Sequence, residues 1–241
     1  MSGLQLNRRF YSKAEPGPCE AAGSLWTIRL DGRDLKTPAR AAFAAPRAVA
    51  EAAAAEWEAQ RETIAPATMP ITKAVNVAID RIPAARAEIV ASIAAYGDSD
   101  LICYRAAEPE TLVLRQAEAW DPLMTWSAQA LGAPLTAVTG VMHHAQSETA
   151  RAAFAAAVAA ESDLGLAALS ELTALSGSLV IGIATARGYL SAEAGWAASR
   201  IDEEHQAELW GRDAEAEAAA EVKRRDFEAA ARLAALLCDE A

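Results

Sequence analysis

The chain is short of the residues on which most specialised chemistry depends. Its three cysteines, Cys19, Cys103 and Cys238, lie far apart, are odd in number and show no CxxC spacing. That argues against a disulfide framework or a zinc knuckle and suits a reducing compartment. There are three histidines, and two of them, His143 and His144, are adjacent. Neighbours on an extended segment point to opposite sides, a poor arrangement for sharing a metal. No GxxxxGK[ST] loop, GxGxxG turn or GxSxG elbow is present, which removes the usual phosphate cradles and the hydrolase nucleophile. No apolar run reaches the roughly 18 residues of a membrane-spanning helix. The best stretch, Leu179 to Ala186, reads as a buried core helix. Arg8–Arg9 precedes no apolar segment, so neither a secretory signal nor a removable transit peptide is expected. Basic charge is also scarce: 22 Lys and Arg against 33 Asp and Glu leave a net charge of −11. The single dense basic cluster, Lys223–Arg225, is flanked by acids, so nucleic acid is not an expected partner.

What the chain has in quantity is alanine, which makes it 53% hydrophobic with only 6% aromatic residues and favours helix. The stretch from Ala50 to Asp80 reads as a helix, a proline-bounded link and a second helix. Val49, Ala53, Trp57, Gln60 and Ile64 form one stripe of the first helix, which places Trp57 inward. Pro66 and Pro70 keep the link from being helical throughout. In the second helix Ile71, Ala74, Val75, Ala78, Ile79 and Ile82 share a face. Thr72, Asn76 and Asp80 form a separate polar row, either solvated or tying the helix to a neighbour, with solvation the favoured reading.

Before this hairpin, residues 7–13 and 25–30 carry the aromatic and β-branched residues of strands. Asp31–Gly32 is a two-residue turn signal. Asp34 to Thr37 reads as the returning strand, a further short strand is weakly indicated at Ala42–Ala44, and Pro46 opens the helix of Trp57. After Pro83 a helix is expected to Tyr96, with Ile89, Ile93 and Tyr96 inward and Gly97 as its C-cap. Ser99–Arg105 is either extended or a short connector. Pro109 opens a helix with Leu112, Gln116, Trp120 and Leu123 on one stripe; Pro122 either kinks it or follows an N-cap at Asp121. Ala133–Met142 reads as an extended crossover. Helices are expected at 147–161, at 163–187 with a division near Gly177, from Ser191 to Trp210, and from Asp213 to about Leu237. The fold class is therefore α+β: a small antiparallel sheet with packed helices over residues 1–82, then a larger all-α orthogonal bundle over 83–241.

Few residues suggest chemistry. Asp202-x-x-His205 with Glu204 is half of a di-metal carboxylate–histidine pattern, and no second half exists. The same segment also reads as a surface, with Ala197, Ile201, Leu209 and Trp210 as its apolar edge and Glu204 and Glu208 at the margin. A carboxylate there is solvated, pairs with an arginine of its own chain, or faces a partner.

In order along the chain stand RRFY (Arg8–Tyr11), LDGRDLKTP (Leu30–Pro38), EWEAQ (Glu56–Gln60), MPIT (Met69–Thr72) and NVAID (Asn76–Asp80). CYRA (Cys103–Ala106), QAEAWDPLMTW (Gln116–Trp126), the glycine of TGV (Thr139–Val141) and EEHQAELWG (Glu203–Gly211) follow. Their joint order resembles the assembly chaperones of the ATP synthase catalytic head, those that hold the α subunit before it joins β. Val77, where that family usually has threonine, and the alanine-rich last helix are mild departures. The resemblance implies no enzymatic reaction, no cofactor, no metal and a transient complex with the unassembled α subunit. It further implies a monomer in the bacterial cytoplasm, the mitochondrial matrix being the site in eukaryotic relatives. On this reading Glu204, Gln206 and Trp210 contact the client. Trp57, Gln60, Asn76, Asp80, Arg105 and Gln116 are architectural. The competing readings are a metal-dependent enzyme using Asp202, Glu204 and His205, and a passive scaffold subunit.

Overall fold

A computed structural model of the chain describes residues 8–238. Three antiparallel strands open it: β1 (Ala14–Pro18), β2 (Trp26–Leu30) and β3 (Arg33–Asp34), in the order β1-β2-β3. The β2–β3 turn forms where Asp31–Gly32 predicts it, with φ of +48° and +79° at the two residues. The first strand, however, is not the aromatic run at 7–13. Asn7 lies outside the described residues, and the segment from Arg9 to Ser12 is drawn off the sheet. Tyr11 donates its hydroxyl hydrogen to the Trp57 carbonyl at 2.6 Å, and the Arg9 guanidinium bonds the Gln60 and Ser12 carbonyls. The strand is instead the proline-bearing Ala14–Pro18, at the sheet edge, where missing N–H groups are tolerated. Lys36 and Ala42 form only an isolated bridge, so the expected fourth strand is reduced to that contact.

Helix α1 (Arg47–Glu58) packs its alanine face, with Val49, Ala53 and Ala54 buried, on Ile28, Leu30 and Phe43. Helix α2 (Pro70–Asp80) follows, then α3 (Ile82–Ala95). Tyr96 is exposed, against the inward orientation expected. Gly97 is not a left-handed cap; it is buried, and a Cβ there would lie 2.4 Å from the Phe154 ring. A short helical turn (Leu101–Cys103) leads into β4 (Tyr104–Arg105), which pairs in parallel with β5 (Val138–Thr139). Between them α4 (Glu110–Trp126) runs unbroken through Pro122.

Helices α5 (Glu148–Ala159), α6 (Asp163–Ser176) and α7 (Leu179–Ala186) follow, and Gly177 at φ +69° divides the last two. The expected helix from Ser191 to Trp210 is two helices, α8 (Ala192–Ser199) and α9 (Ile201–Trp210), broken at Arg200 (φ −113°, ψ 8°). Helix α10 (Ala214–Cys238) closes the chain. Its second half returns to the sheet end, where Leu233 and Ala234 join the core formed by Phe43, Val49 and Val75. A second, larger core gathers Trp120, Phe154, Leu166, Val180 and Phe227. No described helix is long and apolar enough to cross a membrane.

Candidate functional site

Helices α8 and α9 are positioned by α4. The Gln116 amide donates to Asp202 Oδ1 at 2.6 Å, the Trp120 indole N–H to the Ala198 carbonyl at 2.8 Å, and Arg115 pairs with Glu208 at 2.8 Å. The break at Arg200 resets the helical phase, so the four residues expected to share an apolar edge separate: Ile201 is half-buried against the larger core, and the other three are not. Ala198 and His205 point inward, whereas Ala197, Leu209 and Trp210 are exposed, Trp210 at 86%. His205 is buried with neither ring nitrogen hydrogen-bonded, the setting of a core side chain. Asp202, Glu204 and His205 do not converge, and no cluster of three His, Cys, Asp or Glu among the described residues could hold a metal.

Glu204 lies half exposed and accepts from Arg212 at 3.0 Å, and the same guanidinium reaches Glu217 at 2.9 Å. These two carboxylates hold the Arg212 pKa above its ordinary value, Glu217 more than Glu204. Gln206 is exposed on the same helix. The residues from Glu208 to Ala219 are all exposed, so the end of α9 and the first turns of α10 stand out from the body. Chemically the segment offers an aromatic side chain in water and, on the same two helices, exposed ion pairs that solvent already weakens and a partner can exchange.

The other predicted residues lie on two interior seams. In EWEAQ each polar residue reaches a different segment. Glu56 accepts from the Ile71 N–H at 2.7 Å and from both the N–H and the hydroxyl of Thr72 at 2.8 Å. It thereby caps α2, which starts at Met69–Pro70 with no side-chain cap of its own. Glu58 accepts from the Ala14 N–H at 2.7 Å. Gln60 is buried; its amide accepts from Ala65 and donates to Glu56 and Thr68, shaping the proline link. Trp57 is half-buried against Tyr11, at 5.6 Å between ring centroids, and lines a groove with Ile64, Met69 and Asn76.

The polar row on α2 is not solvated as expected. Thr72 is buried on Glu56, and Asp80 accepts from the Thr37 hydroxyl at 2.6 Å and the Ala39 N–H at 3.0 Å. Asn76 Oδ1 and Trp57 Nε1 are buried without partners. On the second seam Arg105 is held by the Ile102 carbonyl at 2.8 Å, by Asp121 at 2.9 Å and over the Trp120 ring at 5.3 Å. Gln116 is buried and also accepts from the Ala106 N–H at 2.8 Å.

The sequence reading passed over two inward-turned carboxylates, Glu56, half-buried, and Asp100. Glu56 was detectable, since a helix starting at Met69–Pro70 needs a cap from elsewhere. Asp100 is fully buried, accepting from Val180 N–H at 3.0 Å at the start of α7, and burial pushes its pKa up to about 6. Nothing local announces it.

The family model described as "ATP12 chaperone protein" matches residues 8–128. The chain is 40% identical to Atp12 from Paracoccus denitrificans, whose crystal structure superposes with a TM-score of 0.90 over 95% of this chain and 98% of that one. It is also 40% identical to the Atu1473 protein of Agrobacterium tumefaciens, with a TM-score of 0.91 over 96% of this chain and 87% of that one. Over 197 residues it is 26% identical to mitochondrial atp12 of Schizosaccharomyces pombe, covering 76% of this chain and 68% of the relative.

Proposed function

The chain belongs to the ATP12 chaperone protein family, chaperones of ATP synthase assembly, and from that premise we propose that it holds the unassembled α subunit until the β subunit takes it over. An α subunit without β exposes an apolar interface of the kind that aggregates. A protein that covers such a surface suppresses self-association by mass action, and tighter binding of β to the same surface is enough for release. The action requires no bond-making, no cofactor and no nucleotide. It takes place in the bacterial cytoplasm, with the chaperone as a monomer.

The observation that carries this reading is Trp210, 86% exposed at the outer end of a helix whose first turn carries Asp202, Glu203 and Glu204. A large aromatic held in water by a well-ordered helix is the usual form of an interface anchor. Glu204 supplies the charged contact, exchanging Arg212 for a basic group of the client, and Gln206 shapes the same patch. Trp57, Gln60, Asn76, Asp80, Arg105 and Gln116 keep the scaffold in register.

The test is co-expression with the α subunit alone. Wild-type protein keeps α soluble and co-purifies with it in the absence of β. Glu204→Ala, at a half-exposed position, melts within a few degrees of wild type yet loses most of the captured α. Normal capture by this variant removes Glu204 from the interface. Retention of the protein in the finished ATP synthase favours the scaffold reading instead.

A further inference from the structure

Among the described residues the three most exposed large apolar side chains are Val141 (90%), Trp210 (86%) and Met142 (82%). Two of them sit side by side on one loop. That loop is fastened at both ends. On its entry side β5 pairs with β4, and the Gly140 N–H donates to the Arg105 carbonyl at 2.9 Å. Gly140 has φ +93°, so the turn that lifts Val141 off the body calls for glycine. On its exit side the Tyr104 hydroxyl lies 3.3 Å from His143 Nδ1, and the Asp98 carboxylate lies 3.6 Å from His143 Nε2. The Gln146 N–H donates to Asp98 at 2.9 Å, and its side chain bonds both backbone groups of Thr136. Val141 and Met142 are thus held in water by a braced loop.

One buried side chain joins this loop to the helix of Trp210. Arg105, which receives the Gly140 N–H, is followed by Ala106, whose own N–H donates to Gln116 Oε1; the other end of the Gln116 amide donates to Asp202 in the first turn of α9. The loop of Val141 and Met142 and the first turn of α9 are thus both tied to Gln116.

We propose that Val141 and Met142 form a second client contact, apolar where α9 is carboxylate-rimmed, so that one client bearing an apolar patch with basic residues beside it spans both. This rests on the α-subunit reading above and extends it. A single exposed tryptophan supplies one anchor; two displays tied to one buried side chain supply orientation as well, and contacts that act together strengthen binding beyond either alone.

The test is α-subunit capture by the V141S/M142S double variant, beside wild type and Phe10→Ser, a control that removes another exposed apolar side chain (71%) on the strand side. The expected result is a loss of co-purified α of tenfold or more for the double variant, with an unchanged melting curve and with Phe10→Ser at the wild-type level. Capture by the double variant within twofold of wild type overturns the inference while leaving the α-subunit reading standing. An equal loss in Phe10→Ser also overturns it, because the effect is then general stickiness. Failure of wild type itself to capture α overturns the client reading and this inference with it.

Discussion

Glu56 offers the strictest check on how this fold is assembled, because one carboxylate satisfies the start of a helix 15 residues away. Its Oε1 accepts from Ile71 N–H, and its Oε2 from Thr72 N–H and Thr72 Oγ1. Ile71 is 1% exposed and Thr72 5%, so water does not replace the carboxylate when it is removed. Hydrogen bonds to a charged acceptor are worth about 1.5–3 kcal/mol each, and a stranded buried donor costs about 1–3 kcal/mol. The three share one acceptor group and do not add, so Glu56→Ala is expected to cost about 3–5 kcal/mol. In a chain of this size that lowers Tm by roughly 10 °C. Glu56→Gln is the sharper variant. It keeps one oxygen, but its amide N–H group then faces a backbone N–H whichever way it turns, so the loss approaches that of alanine. Urea unfolding is the assay: the midpoint falls for both variants while the slope stays constant. Glu58→Ala, at a side chain about half exposed, costs about 1 kcal/mol or less. A Glu56→Ala loss below 1 kcal/mol, or a fully stable Glu56→Gln, would refute the claim that α2 is capped from α1.

Two further expectations concern the interior. Asp100 is fully buried, and its pKa rises from 3.8 to about 6 on folding, chiefly through desolvation. Between those two values the folded state binds a proton that the unfolded state does not, so wild type loses stability as pH rises through that window. Relative to Asp100→Asn, wild type should weaken by about 2 kcal/mol between pH 4.5 and 7, read from paired urea melts; a flat difference across that range refutes it. Trp57→Arg places a guanidinium among Ile64, Met69 and Tyr11 and should cost several kcal/mol. Trp57→Phe should cost far less, because the indole N–H has no partner to lose; calorimetry on the pair separates loss of packing from loss of a hydrogen bond.

The α+β class and the helices were legible because they rest on local signals. Asp31–Gly32 fixes a hairpin by its tolerance of positive φ, and alanine stripes mark α1 and α6 whatever packs on them. The displaced first strand shows where local signals give out. Residues 9–12 have the better β composition, but Arg9 and Tyr11 find carbonyl partners at the end of α1, and a strand with two prolines takes the edge instead. The break at Arg200 likewise has no glycine or proline to announce it, and it divides the single helix expected from Ser191 to Trp210 into two.

The polar rows were legible as spacings and opaque as partnerships, and the cause is the same in each case. Thr72, Asn76 and Asp80 fall at the four-residue spacing that a solvated face would also show, so periodicity cannot tell water from a neighbouring backbone. What decides is whether the neighbour brings unpaired donors. The uncapped start of α2 and the turn at Thr37–Ala39 both do, and Glu56 and Asp80 are taken inward to meet them. Gln116 follows the same rule, linking a strand end on one side to α9 on the other. The carboxylates of α9 beyond Asp202 meet no unpaired backbone donors, only arginines, and therefore stay at the surface. Where the chain has an orphaned backbone group to satisfy, its polar side chains build the scaffold. Where it has none, they remain exchangeable, and that is the property a reversible partner surface requires.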